Sequence, residues 1–121
     1  MAMVEVPSEL AIDTAIARRI IAEFIRAQLD QAGFGKALLG LSGGIDSALV
    51  AFLVAEAIGP ERLLCVSMPY RASSADSRID AAAVVAALGC HSMIIDVSPV
   101  VDAYMEDAAR VDASPIRRGN F

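Results

Sequence analysis

Segments rich in apolar residues recur along this 121-residue chain at two different lengths. The short ones have the length and composition of strands in a covered sheet, and they lie at 36–41, 63–68 and 92–96. The long ones have helical spacing or helix-forming composition, and they lie at 8–32, 45–58, 75–88 and 98–110. After the leading helix, strand and helix therefore alternate three times.

This alternation is typical of parallel, doubly wound α/β folds. We predict a Rossmann-like sheet with helices on both faces and only its first three strands present. Right-handed crossovers predict the strand order 3-2-1. We expect residues 1–121 to form a single domain, with a βαβαβα core at 36–110 and an irregular tail at 111–121. Ligands of such sheets bind beyond the carboxyl ends of the strands.

The leading helix is predicted to begin after Ser8, a plausible N-cap, and to end at Gly33, a favoured helix stop. Its apolar stripe is wide, because Ile12 and Ile16 drift towards the polar side. A subunit interface explains that width, and so does an ordinary packed helix with a frayed start. The sequence leaves both explanations open.

The loop after the first strand reads Ser-Gly-Gly-Ile-Asp-Ser at 42–47. A glycine turn that opens a helix presents free backbone N–H groups, which bind phosphate. A carboxylate at Asp46 repels phosphates unless a cation lies between them, and Mg²⁺ is commonly held by carboxylates together with substrate phosphates. The alternative interpretation is a tight turn with a helix cap, since Asp, Ser and Gly also favour that role.

Composition excludes several classes of protein. The apolar fraction is 56%, yet no long uncharged apolar stretch predicts a membrane span. The net charge of −5 does not indicate a nucleic-acid surface.

Cys65 and Cys90 do not have metal-site spacing, so we expect buried, reduced thiols, and a catalytic thiol is the sharper alternative. His91, the only histidine, is expected to be packed in a strand. No signal peptide is recognisable, so we expect a cytoplasmic protein.

The loop resembles the PP-loop of the ATP pyrophosphatases, which adenylate a substrate by splitting ATP. Three further segments resemble the NAD synthetase family in particular. They are Met-Pro-Tyr-Arg-Ala-Ser-Ser at 68–74, Asp-Val-Ser-Pro-Val-Val-Asp-Ala-Tyr at 96–104, and Arg-Gly-Asn at 118–120. Order and spacing agree along residues 20–121.

The resemblance implies that ATP and Mg²⁺ bind at the loop and that deamido-NAD and ammonia are the other substrates. It also implies a homodimer. Asp46 is the implied metal ligand, and no general base is identified. Arg71 and Ser73 are weaker ATP candidates. The implied ATP-binding residues are Gly40, Leu41, Ser42, Gly43, Gly44, Ile45, Asp46 and Ser47.

Residues 1–121 match only the first half of such a catalytic domain. The arginine that the family uses for its dinucleotide substrate is missing from them, and so is a second acidic metal ligand. We therefore expect these residues alone to be inactive. The short segment before the loop favours the ammonia-dependent type. Two alternatives remain: another PP-loop enzyme for sulfur transfer or tRNA modification, and a non-catalytic nucleotide-binding module.

Overall fold

The computed structural model describes residues 6–71 and 75–109. Within these ranges it contains four α-helices and three strands, with a short 3₁₀ turn at Pro60–Arg62. Their order is α1 (Thr14–Ala32), β1 (Ala37–Gly40), α2 (Ile45–Ile58), β2 (Leu63–Ser67), α3 (Ala75–Leu88), β3 (His91–Ile94) and α4 (Ser98–Ala108).

The three strands form one parallel sheet in the order β1-β2-β3. This is the predicted order, and it confirms the Rossmann-like α/β fold class. Leu39 lies beside Cys65 in the register of the first pair, and Cys65 lies beside Ser92 in the second. Both crossovers step in the same direction, so with the usual right-handed connection α2 and α3 cover the same face.

The core lies between that face of the sheet and its two helices. Leu63 and Cys65 are its two largest fully buried side chains, and they face Ala51, Val54 and Ala81 of the helices. Small residues on α2 and α3 let the helices approach the sheet closely. On the opposite face of β1, Leu38 stays 66% exposed. The side chains on β3 are exposed too.

The start of α1 differs from the sequence prediction. Asp13 is the N-cap: its carboxylate accepts hydrogen bonds from the backbone N–H groups of Ala15 and Ile16 at 3.0 and 3.2 Å. Ser8 was the wrong choice, because its hydroxyl bonds to Glu9 instead. The predicted stop is correct, since Gly33 adopts a left-handed conformation with φ of 79°.

The helices α2 and α3 have the predicted bounds, whereas the strands and α4 differ by small shifts. The strands are shorter than predicted, and β3 begins at His91 rather than Ser92. His91 is exposed, so the expectation that it is packed was wrong. Ser98 is the first residue of α4 and Val97 is its N-cap, and the Ser98 N–H donates to Asp96 Oδ1 at 2.8 Å. The predicted tail at 111–121 lies outside the described residues.

The length and apolar character of the helices bear on membrane insertion. Among residues 6–71 and 75–109, no helix is both long enough and apolar enough to cross a membrane.

Candidate nucleotide-binding site

The loop between β1 and α2 is anchored at the carboxyl edge of the sheet. Leu41 follows β1 and is buried, and its N–H donates to the carbonyl of Val66 on β2 at 2.8 Å. The next three residues turn the chain, and α2 begins at Ile45. The loop thus lies where parallel α/β sheets bind their ligands.

Two serines hold the loop in shape. The Ser42 N–H donates to Ser47 Oγ at 3.1 Å, and the two hydroxyl oxygens lie 3.0 Å apart. Ser42 Oγ also accepts the Gly44 N–H at 3.1 Å, and Ser47 Oγ donates to the Gly44 carbonyl at 3.3 Å. These bonds form a closed network within one turn. ATP binding by Ser42 and Ser47 stays a prediction.

Gly43 is required by the packing of α3 against the loop. Its φ is +87°, which side chains rarely adopt. A Cβ there would lie 2.3 Å from the carbonyl oxygen of Ser77, which belongs to the first turn of α3. Gly43 is one of the implied ATP-binding residues, and in the structure it also has this packing role.

Gly44 differs from Gly43 in both conformation and surroundings. Its φ of −83° is ordinary, and a Cβ there would meet only Ser42 Oγ, at 3.3 Å. Gly44 is the N-cap of α2, and no side chain caps that helix. Helical geometry leaves the N–H groups of the first turn without intrahelical acceptors. This end of α2 also carries the positive end of the helix dipole, so it favours a phosphate.

Asp46 is exposed in the first turn of α2, beside those N–H groups. Ile45 is 84% exposed and makes no part of the core. Among the residues that the structure describes, no group of three His, Cys, Asp or Glu side chains is arranged to hold a metal ion. One carboxylate fits Mg²⁺ only in the common arrangement in which nucleotide phosphates and water supply the other ligands.

A cavity of about 640 Å³ adjoins the loop. That volume lies within the range of roughly 300–1,000 Å³ that is usual for small-molecule sites. Leu41 and Ser42 form its loop side, and Met68 and Pro69 form the wall contributed by the end of β2. Alanines and Val85 of α3 make the remainder mainly apolar. A mainly apolar cavity beside a helix start that favours a phosphate has the features that suit a nucleotide, which has a flat base and a charged tail.

Arg78 of α3 also lines this cavity, and the sequence reasoning missed it. No motif marks it, since a single arginine in an alanine-rich helix has the pattern of a solvated surface residue. Only the packing of the α3 start against Gly43 brings Arg78 to the cavity. Among the described residues, Arg78 is the cationic side chain that lines this cavity.

The two weaker candidates have different outcomes. The guanidinium of Arg71 bonds to the carboxylate of Asp102 on α4, and Arg71 is not part of the cavity wall. Arg71 also lies 5.9 Å from the centre of the Tyr70 ring. Ser73 lies outside the described residues. An ATP contact by either one stays a prediction.

Asp96 follows β3 at the same edge of the sheet. Hydrogen bonds from Ser98 hold the pKa of the Asp96 carboxyl below its usual range, and the nearby charges of Arg71 and Arg78 lower that pKa further. Asp96 is therefore a carboxylate at neutral pH.

The two cysteines lie on neighbouring strands, with their sulfur atoms 3.7 Å apart. Both are free thiols, as expected; Cys65 is buried, whereas Cys90 is only half-buried, so the expected burial holds for Cys65 alone. Burial raises the pKa of Cys65 to about 11, and the neighbouring Cys90 raises it as well. Because a thiolate is the nucleophilic form, Cys65 is an inert core residue at neutral pH.

Comparison with known proteins shows the family of this chain. The sequence profile of the family described as NAD synthase matches residues 17–121. The chain belongs to the NAD synthase family. A curated relative, the NH₃-dependent NAD⁺ synthetase of Trichlorobacter lovleyi, is 44% identical over 113 residues. That match covers 93% of this chain and 41% of the relative, so the chain spans less than half of a curated NAD synthetase.

Solved NAD synthetase structures share the fold. The NH₃-dependent NAD synthetase from Campylobacter jejuni has a TM-score of 0.83 and 31% identity, covering 92% of this chain and 47% of that one. The glutamine-dependent NAD⁺ synthetase from Acinetobacter baumannii, solved in complex with ADP, has a TM-score of 0.83 and 34% identity. It covers 95% of this chain and 22% of that one.

Proposed function

We propose that the α2 end of the site binds the phosphates of ATP and that the adjoining cavity holds its adenosine part. The observation that carries this proposal is the uncapped start of α2 beside a cavity of about 640 Å³. The ADP complex of the Acinetobacter baumannii relative supports an adenine nucleotide as the ligand. The proposed contacts are the predicted set at 40–47.

The whole enzyme, of which these residues are the loop-bearing part, then catalyses ATP-dependent amidation of deamido-NAD. The carboxylate of deamido-NAD attacks the α-phosphorus of ATP, forming an acyl adenylate and releasing pyrophosphate. Ammonia then attacks the acyl carbon, which gives the amide of NAD and releases AMP. The NH₃-dependent relatives support ammonia as the nitrogen donor.

Within this scheme, the loop acts by positioning and by neutralising charge. The N–H groups at the start of α2 bind the departing pyrophosphate, whose negative charge grows as the bond to the α-phosphorus breaks. Asp46 is the proposed Mg²⁺ ligand, and a bound Mg²⁺ offsets phosphate charge that the loop alone leaves exposed. Arg78 is placed to add a cation at the cavity wall.

Isothermal titration of the chain with ATP tests the nucleotide proposal. We expect binding in the presence of MgCl₂ and much weaker binding in EDTA. AMP should bind less tightly than ATP, because it lacks the phosphates that the α2 start would hold. Absence of ATP binding in MgCl₂, by a chain with cooperative thermal unfolding, would refute the proposed site.

We also propose that the whole protein is a cytoplasmic homodimer. Ile16, Ile20 and Phe24 repeat at four-residue spacing on α1 and are 51%, 61% and 62% exposed. The other side of α1 is held to α2, since Arg26 Nε donates to the Ala57 carbonyl at 2.8 Å. Among the described residues, this stripe lies away from the core, and it suits a second copy.

A further inference from the structure

The segment at 68–71, which forms one wall of the cavity, is held by Val97 and by the first two turns of α4. The Val97 N–H donates to the Pro69 carbonyl at 3.1 Å, and the Arg71 N–H donates to Ser98 Oγ at 3.0 Å. The Tyr70 hydroxyl donates to Asp102 Oδ1 at 2.8 Å. The Arg71 guanidinium donates to the other carboxylate oxygen, Asp102 Oδ2.

The hydrogen bonds to Ser98 and Asp102 fix the position of the segment at 68–71. Both carboxylate oxygens of Asp102 are occupied, one by a hydroxyl and one by a cation. Ser98 is only 5% exposed, so its hydroxyl has little competition from water. Hydrogen bonds to a charged group are stronger than neutral ones, although the Asp102 side chain is 39% exposed and water weakens its ion pair.

Neither Asp102 nor Arg71 lines the cavity, but Met68 and Pro69 do. Met68 to Arg71 are consecutive residues. Loss of the Asp102 contacts with Tyr70 and Arg71 therefore shifts the cavity wall at Met68 and Pro69. The carboxylate of Asp102 thus acts on the cavity through the segment 68–71, without touching a ligand.

We propose that Asp102 is a positioning residue: by holding Tyr70 and Arg71, it sets the cavity wall at Met68 and Pro69 and thereby the affinity for ATP. This inference rests on the proposed ATP site. It assigns to the α4 segment a role in nucleotide affinity that the sequence motif alone does not indicate.

The test combines a double-mutant cycle with hydrogen exchange on the same chain. The variants are Asp102→Asn, Arg71→Met and the double variant. Asp107→Asn is the control, because Asp107 is an exposed acid on the same helix and loses the same charge. ATP affinity is measured in MgCl₂, amide exchange is measured peptide by peptide, and the thermal midpoint is recorded for each variant.

We expect Asp102→Asn and Arg71→Met each to weaken ATP binding by about three- to tenfold, as fits a partly exposed charged contact. The double variant should bind ATP no more weakly than the worse single variant, since both changes break one contact. Amide exchange should accelerate at 68–71 but not in α2, and the thermal midpoint should stay near that of the wild type. Asp107→Asn should change none of these.

Three results would overturn the inference. They are unchanged ATP affinity in Asp102→Asn, fully multiplicative losses in the double variant, and a fall in thermal midpoint with accelerated exchange throughout the chain. The last would assign Asp102 a general structural role. If the wild-type chain binds no ATP, the proposed function is refuted, while amide exchange at 68–71 still decides whether Asp102 holds this segment.

Discussion

Replacing Gly43 by alanine tests whether the loop geometry depends on the approach of α3. The backbone at Gly43 has φ of +87°, and left-handed backbone costs a residue with a Cβ about 1–2 kcal/mol. The added Cβ would also lie 2.3 Å from the Ser77 carbonyl oxygen, a backbone atom that cannot rotate away. Relieving such overpacking costs roughly 1–3 kcal/mol more.

The expected loss of unfolding free energy is therefore about 2–5 kcal/mol for Gly43→Ala. For a domain of this size, that corresponds to a fall in thermal midpoint of roughly 8–20 °C. Circular dichroism at the helical band measures the midpoint, and titration with ATP measures binding. ATP binding should be lost as well, because moving α3 away from the loop changes the cavity wall at Ser77 and Arg78.

Gly44→Ala is the matched control. Its φ of −83° accepts a side chain, and the added Cβ would lie 3.3 Å from Ser42 Oγ. Replacing an N-cap glycine by alanine costs about 1 kcal/mol, so this variant should unfold close to the wild type. A Gly43→Ala variant that melts within the experimental error of Gly44→Ala would refute the argument that α3 requires a glycine at position 43.

Three further predictions concern the metal, a buried thiol and the proposed dimer. Asp46→Ala should abolish the difference in ATP affinity between MgCl₂ and EDTA while costing less than about 1 kcal/mol of stability; a persistent Mg²⁺ effect in titration would contradict the role of Asp46. The pKa of Cys65 rises from 9.0 to about 11 on folding. The unfolded chain therefore loses its thiol proton first, and stability should decline from about pH 9 up to pH 11, by at most roughly 2–3 kcal/mol. Denaturant unfolding checks this, and Cys65→Ala should show a shallower decline; identical pH profiles would show that other groups cause it. Ile16→Glu should make the whole protein monomeric in sedimentation at micromolar concentration, whereas Ala15→Glu, which adds the same charge at an exposed position off the Ile16–Ile20–Phe24 stripe, should not. A wild-type protein that sediments as a monomer would refute the dimer.

Several elements were determined by local sequence. The bounds of α2 and α3 match the predicted ranges, because each helix is flanked by residues that stop or start helices whatever their surroundings, such as Gly59 and Gly89. The strand order also followed from the alternation, since short crossovers between parallel strands leave few topologies. The turn at 42–47 could be predicted as a phosphate site because the residue types that such a site needs occupy six consecutive positions.

The start of α1 shows where local pattern was insufficient. Ser8 and Asp13 are both good N-cap residues, and the sequence contains both. The choice depended on which side chain reaches free N–H groups. Asp13 accepts hydrogen bonds from two of them. The N–H groups of Leu10 and Ala11 instead donate to the Pro7 carbonyl, in a turn that precedes Asp13.

Only the tertiary structure decided how residues distant in sequence share the site. Arg71 has the same local sequence whether it turns to a nucleotide or to α4, and the position of Asp102, 31 residues later, turns it to α4. Gly43 and Ser77 meet because α3 packs across the loop, which also brings Arg78 to the cavity. Sequence patterns report the conformation of a segment, since that depends on near neighbours. Contacts between segments depend on how the sheet and helices pack, and that information is distributed over the whole chain.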